Sequence, residues 1–346
     1  MRVTVVSLEG FNPSILPVAV YKKLLIAQPL PALTSLLSAA GLKLVDIGGR
    51  RSSFPELVTL APFADYYISE PDSAEAAHLS EHLTRDLSWR SVTVIGEAIG
   101  SRRGPGTLYV TRQPGMSSLL EPDPGVTRRF YLGDRFEVVS TTTVPVLPLD
   151  DAAERYAFTD ACFLKIDTQG TELDILHSGS RLVRHSVVGV YVECSFRPFY
   201  KGQPLFSDID SHLRAHGFEL FSLSRANLRR AGYHSTQYSR RITAWAHCLY
   251  FREPNTLAPA SDTTGRALTQ LLGLALAFQH HDLAIETVAA IGATDALDDT
   301  RFAALTADVR SCVGRGTRHA RHKAREQGVD DQALLGASFR DRKHLE

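Results

Sequence analysis

From about residue 43 to residue 223 the chain alternates short apolar runs with segments of helical periodicity. Lys43–Ile47, Asp65–Ser69, Ser91–Ile95, Ala161–Ile166, Val187–Val192 and Phe218–Leu223 predict six strands. The runs are rich in Val and Ile and nearly continuous, as expected of parallel strands covered on both faces. Between them, Ser73–Leu83, Thr171–Leu182 and Phe206–His216 predict helices, with Ser73 as a cap and Gly217 as a stop. A further helix is expected to start near Ser53, and another covers Ala32–Ala40. Ala244–Phe251, "AWAHCLYF", alternates more cleanly and suits an antiparallel edge strand.

Strand–helix–strand repetition predicts an α/β fold with a Rossmann-like, mostly parallel open sheet and right-handed crossovers. The segment 104–149 breaks the rhythm. It holds strand-like pieces at Gly106–Thr111 and Phe136–Pro145 around the turn-rich "QPGMSSLLEPDPG", and reads as a β-rich insertion lying over the sheet edge. From residue 254 the pattern becomes helical (Thr263–Phe278, Leu283–Ile291, Arg301–Cys312) and ends in the basic run Arg315–Arg325. The division is therefore an N-terminal extension (1–42), a core domain (43–253) and a helical appendage (254–346). The appendage leucines are expected to pack on the core or across a homodimer interface.

With 346 residues, 44% hydrophobic, and no formal net charge, the chain suits an ordinary globular protein and no strongly basic nucleic-acid binder. Four dispersed cysteines without metal spacing predict a reduced, cytoplasmic protein. The longest apolar run, Leu271–Phe278, falls well short of the roughly 20 residues of a membrane span.

Candidate chemistry gathers at the strand ends, where open α/β sheets bind ligands. Asp46, Gly48 and Gly49 follow the first strand, and Glu70, 22 positions after Gly48, ends the second. That spacing suits an acid gripping the two hydroxyls of a ribose. A dinucleotide would want a third glycine for its pyrophosphate, but Arg50 and Arg51 stand there. A nucleoside compound without pyrophosphate fits better, and S-adenosylmethionine is one. Its carboxylate could meet free N–H groups at the helix start near Ser53, or Arg50 itself.

The segments "LVDIGGRR", "YISEPDSAEAAHL", "VIGEAIGSRRGPGTLYV", "GMSSLLEP", "VPVLPLDD", "FLKIDTQGTELDIL" and "VYVECSFRPFYKGQPLFSDIDSHLRAHGFELFSL" occur in this order. Together they resemble the FkbM-type family of S-adenosylmethionine-dependent methyltransferases over about residues 43–223, with "KIDTQGTE" the most specific element. The resemblance implies a class I methyltransferase sheet and methylation of hydroxyls, or sometimes carboxyls, of sugars, glycans and secondary metabolites. It assigns Asp46 and Gly48 to the donor's amino-acid and ribose side and Glu70 to the ribose hydroxyls; Gly49 and Arg50 of the same turn are further candidate donor contacts. It places Glu97 and Ala98 beside the adenine, Ser117 and Ser118 over the donor, and Asp167 beside the transferring methyl. Gln169 stands where family members usually carry an acid, and Arg50–Ser53 replace a small, glycine-containing turn.

Asp167 and Glu193, on neighbouring strands, are the candidate proton acceptors or hydroxyl anchors, with Glu172 behind them. Paired carboxylates also suit a divalent cation, but no third ligand is legible and no metal site is assigned. Arg197, Tyr200, Lys201, Gln203, Tyr233 and His234 combine aromatic faces with polar donors, a mixture suited to a small-molecule or glycan acceptor. Two other readings stay open: a nicotinamide-dependent oxidoreductase on the same sheet class, and a non-catalytic binding module.

Overall fold

The computed structural model describes residues 30–50, 53–86, 89–232, 240–257, 263–294 and 296–326. Its strands are β1 (Leu42–Ile47), β2 (Ala64–Ser69), β3 (Ser91–Ile95), β4 (Ala98–Ile99), β5 (Gly104–Thr111), β6 (Val138–Leu147), β7 (Phe163–Ile166), β8 (Gly189–Ser195), β9 (Phe218–Leu228) and β10 (Ile242–Arg252). The main sheet has seven strands in the order β3-β2-β1-β7-β8-β10-β9, and a second sheet has the order β4-β6-β5. β10 runs antiparallel to both neighbours while β1, β2, β3, β7 and β8 are parallel. This is the mostly parallel, Rossmann-like α/β sheet expected from the strand–helix–strand repetition. One detail of the expectation is corrected: the antiparallel strand lies one place in from the edge, and β9 is the edge. β10 is buried along most of its length because it is paired on both sides, whereas β9 is largely exposed.

Helices cover both faces. On one, Pro31–Ala39, Ser73–Asp86 and Thr263–Ala277 pack with the short 3-10 helix Pro55–Phe63. On the other lie Leu149–Arg155, Glu172–Ser178, Ser180–His185 and Phe206–Ala215. Leu271, Leu272, Leu274 and Leu276 share a core with Leu33, Leu37, Leu42, Leu44, Leu57 and Leu60. The C-terminal helix Thr263–Ala277 is thus a wall of the α/β layer, and its leucines pack on the core. The helix Asp299–Glu326, which carries the basic run on its last turns, contributes Leu305, Val309 and Cys312 to the same core. Among the described residues no helix is long and apolar enough to cross a membrane. All four cysteines are buried.

Three local expectations are revised. Residues 171–182 are broken at Gly179 into two helices, where a Cβ would stand 2.4 Å from Leu149. The helix Ser73–Asp86 is capped by Asp72, whose Oδ1 accepts from the N–H groups of Ala74 and Glu75. The element after Ser53 is 3-10 rather than α, and begins at Pro55.

A cavity at the topological switch point

The direction of strand order reverses between β1 and β7, so the loops leaving those two strands part and open a crevice. There lies a cavity of about 430 Å³ lined by the turn Asp46–Arg50, by Ser69–Pro71 after β2, by Ala98 and Ile99, and by Asp167–Gln169 after β7. Phe54, Tyr191 and His247 supply further walls. The insertion forms the roof with Leu108, Pro114, Gly115, Ser117, Ser118 and Leu119. It therefore lies over the site rather than over the sheet edge. Phe130 and Phe136 hold it down against Phe199, Tyr200 and Leu228.

Gly48 shows why the first turn needs glycine. Its φ is +81° and a Cβ there would meet the Asp167 carbonyl at 2.0 Å; a Cβ on Gly49 would meet Ile68 at 2.3 Å. The small residues let the loops of β1 and β7 approach one another, and the cavity opens beside that contact. Arg50 turns toward Glu75 (3.8 Å) and the Pro114 carbonyl (3.2 Å) at the cavity edge. The N–H groups expected near Ser53 are partly committed. Phe54 N–H donates to the Tyr66 hydroxyl, and Pro55 has no N–H to offer. Arg50 is the cation left near that end.

Asp46 is 1% exposed and both of its oxygens are engaged. Oδ2 accepts from the Tyr66 hydroxyl at 2.6 Å, and Oδ1 pairs with Lys165 Nζ at 2.9 Å. Burial alone would lower the Lys165 pKa, but the carboxylates of Asp46, Asp167 and Glu193 raise it, so the ammonium stays charged. Glu70 is 4% exposed and faces the same cavity. Its Oε1 accepts from Asp72 N–H at 2.9 Å, and burial raises its pKa. Glu97 lies outside the lining. Its carboxylate accepts from the Tyr156 hydroxyl at 2.6 Å and pairs with Arg155 at 2.9 Å.

At the other end, Gln169 Nε2 donates to Asp167 Oδ1 (2.9 Å) and to Glu193 Oε2 (2.7 Å). His247 reaches the same place from β10, 3.7 Å from Asp167 and 3.8 Å from Glu193. Asp167 lines the cavity and Glu193 stands behind Gln169. Burial would raise the Asp167 carboxyl, but Lys165, His247 and Gln169 together hold it below the usual carboxylate range. Burial and the neighbouring charges of Asp167 and Glu172 push Glu193 well up. Glu172 does not face the cavity. It accepts from the N–H groups of Thr168 and Gly170 and so fixes the loop that carries Asp167 and Gln169.

The expected acceptor-binding residues are placed away from the lining. Tyr200 is buried, its hydroxyl 2.8 Å from the Met116 carbonyl and 3.2 Å from Gln169 Oε1. Gln203 Nε2 donates to Ser195 Oγ at 3.0 Å. Lys201 pairs with Glu121 at the surface, and Arg197 is half-buried. Tyr233 and His234 lie outside the described residues. Sequence reasoning had missed Lys165, His247, Tyr66 and Tyr191 as parts of the site. A lysine inside the apolar run "FLKI" was the one legible signal among them.

The site is thus a crevice at the switch point of a mostly parallel α/β sheet, with a buried acid one strand beyond a glycine turn. Residues 66–220 match the family model described as the methyltransferase FkbM domain. The matched stretch contains Glu70, Asp167 and Glu193, and leaves out the β1 turn and β10. No curated protein matches the chain. Among solved structures it is similar to magnesium protoporphyrin IX methyltransferase from Synechocystis PCC 6803 with bound SAM, at 10% identity and a TM-score of 0.32 over 64% of this chain and 79% of that one. It is similar also to a SAM-dependent methyltransferase from Agrobacterium tumefaciens, at 10% identity and a TM-score of 0.33 over 69% and 63%. Overlaps this loose leave the fold to be read from the strand order itself.

Proposed function

We propose that this protein transfers the methyl group of S-adenosylmethionine to a hydroxyl oxygen of a sugar, glycan or secondary metabolite. The observation that carries the reading is Glu70: a buried carboxylate facing the cavity beside the Gly48–Gly49 turn. A carboxylate there suits the paired hydroxyls of a ribose. Arg50, at the same end, suits the carboxylate of the donor's amino-acid tail. A dinucleotide is disfavoured because Arg50 occupies the side of the turn where a pyrophosphate would approach a helix N-terminus, and the element beginning at Pro55 offers few free N–H groups.

The donor supplies an activated methyl on a positive sulfur. The protein's part is to hold donor and acceptor in line, an arrangement worth roughly 7–11 kcal/mol. The acceptor oxygen forms the new bond to carbon as the bond to sulfur breaks, and the electron pair of that bond neutralises the sulfonium. The hydroxyl proton leaves toward the polar end formed by Asp167, Glu193 and His247. Glu172 acts there as a positioning residue through the loop it braces.

Asp167→Asn tests the enzymatic reading. Labelled donor and a panel of candidate acceptors should show transfer by the wild type and a loss of about 10²-fold or more in the variant. Donor affinity should stay within a few-fold, because Gln169 and Lys165 remain. Undiminished transfer by Asp167→Asn would remove the carboxylate from the chemistry. Donor binding without transfer to any acceptor would favour the binding-module alternative.

A further inference from the structure

At the polar end of the cavity three ligand-type atoms face one another without bonding. His247 Nε2 stands 3.7 Å from Asp167 Oδ2 and 3.8 Å from Glu193 Oε1. Both distances are too long for hydrogen bonds. All three atoms lie within 4.8 Å of one another. Geometry then puts one point roughly 2.0–2.4 Å from each, which spans ordinary bond lengths of nitrogen and oxygen to divalent metals.

The other carboxylate oxygens are already committed. One amide nitrogen, Gln169 Nε2, holds Asp167 Oδ1 and Glu193 Oε2, and so turns Oδ2 and Oε1 toward the imidazole. The amide's own orientation follows from its partners: two carboxylates demand the NH₂ on their side, and the carbonyl oxygen meets the Tyr200 hydroxyl. Tyr191 stacks on the His247 ring, with centroids 5.6 Å apart and planes 13° apart. Outer contacts of this kind orient metal ligands. Glu193 is 8% exposed, and its Oε1 receives no hydrogen bond from the described residues. Lys165 is engaged elsewhere, with Asp46 and with the Gly48 carbonyl at 3.1 Å.

We propose that Asp167, Glu193 and His247 form a binding site for one divalent first-row transition-metal ion, with its open positions toward the cavity. One imidazole and two carboxylates suit Mn²⁺, Fe²⁺ or Zn²⁺ better than Ca²⁺ or Mg²⁺, which take oxygen ligands. The site stands on its own geometry; its role in methyl transfer rests on the function proposed above. There the ion would take an acceptor oxygen and make its hydroxyl more acidic.

The test is a titration of the chelator-stripped, full-length chain with Mn²⁺, followed by loss of the free-ion paramagnetic resonance signal. One ion per chain is expected. Binding should weaken at least tenfold in His247→Ala and in His247→Gln, and about 10–100-fold in Gln169→Ala, which frees the carboxylates. Unchanged circular dichroism establishes that the variants are folded; of the two histidine variants, His247→Gln keeps more of the side-chain bulk. No stoichiometric ion, or an ion indifferent to both His247 variants, overturns the site. S-adenosylhomocysteine affinity measured on the same samples separates the two readings. Donor binding without the ion sinks the metal alone, and the ion without donor binding sinks methyl transfer alone.

Discussion

Lys165 is 8% exposed in a strand whose other members are Phe163, Leu164 and Ile166. Its charge is held there chiefly by Asp46, with Asp167 and Glu193 adding to it, and the Asp46 carboxylate in turn depends on Lys165 and Tyr66. Removing one member of a buried pair leaves the other uncompensated, at a cost of about 3–5 kcal/mol. Lys165→Met should therefore lower the unfolding free energy by that amount in denaturant titrations. A loss below about 1 kcal/mol would show that the pair contributes little. The acids at strand ends (Asp46, Glu70, Asp167) were legible because sheet geometry brings those ends together. His247 was not: in the alternating run "AWAHCLYF" a half-buried histidine reads as packing, and only the pairing of β10 with β8 brings it opposite Glu193. Tyr200 and Gln203, expected to meet an acceptor, are engaged within the fold. A residue type suited to binding sugars serves equally well to hold Gln169 and Ser195, and burial decides between the roles.

The element that governs the cavity is the pair of turns leaving β1 and β7. Gly48→Ala puts a Cβ within 2.0 Å of the Asp167 carbonyl and requires a left-handed backbone that alanine adopts at a penalty. The substitution should destabilise the fold by about 1–3 kcal/mol and, by pushing the Asp167 loop outward, slow methyl transfer more than it weakens donor binding. A Gly48→Ala protein with wild-type melting temperature and turnover would contradict this account of the turn. Three of the six core strands, β1, β2 and β3, could be placed almost to the residue because their apolar runs are short and sharply bounded; β7 and β8 begin two residues later than their runs, and β8 and β9 extend past them. The 3-10 element at Pro55–Phe63 escaped because Pro55 and Pro62 interrupt the helical pattern. The roof escaped for a different reason: its position depends on long-range packing of Phe130 and Phe136 on Phe199.

At the scale of the molecule, the helix Pro31–Ala39, the main sheet and the C-terminal helices share one core. Sequence character changes after residue 254, and nothing local decides between core and dimer interface for the appendage leucines; Leu271, Leu272, Leu274 and Leu276 in fact share a core with Leu33, Leu37 and Leu60. Each buried leucine contributes roughly 1.5–3 kcal/mol, and typical whole-domain stability is only about 5–15 kcal/mol. A chain truncated after residue 257 should consequently be insoluble or lack a cooperative melt. A soluble, cooperatively folding truncation would show that the core does not depend on these helices. Asp308 adds a polar tie across the same boundary, accepting from the N–H groups of Ala32 and Leu33.

The central claim, that Glu70 holds the ribose of a nucleoside methyl donor, is tested most directly by calorimetry with S-adenosylhomocysteine and NAD on the full chain and on Glu70→Ala. The account predicts one S-adenosylhomocysteine per chain, no NAD, and a loss of about 1.5–3 kcal/mol in Glu70→Ala, roughly 10- to 150-fold in affinity. Tight NAD binding, or S-adenosylhomocysteine binding that ignores the substitution, would contradict it.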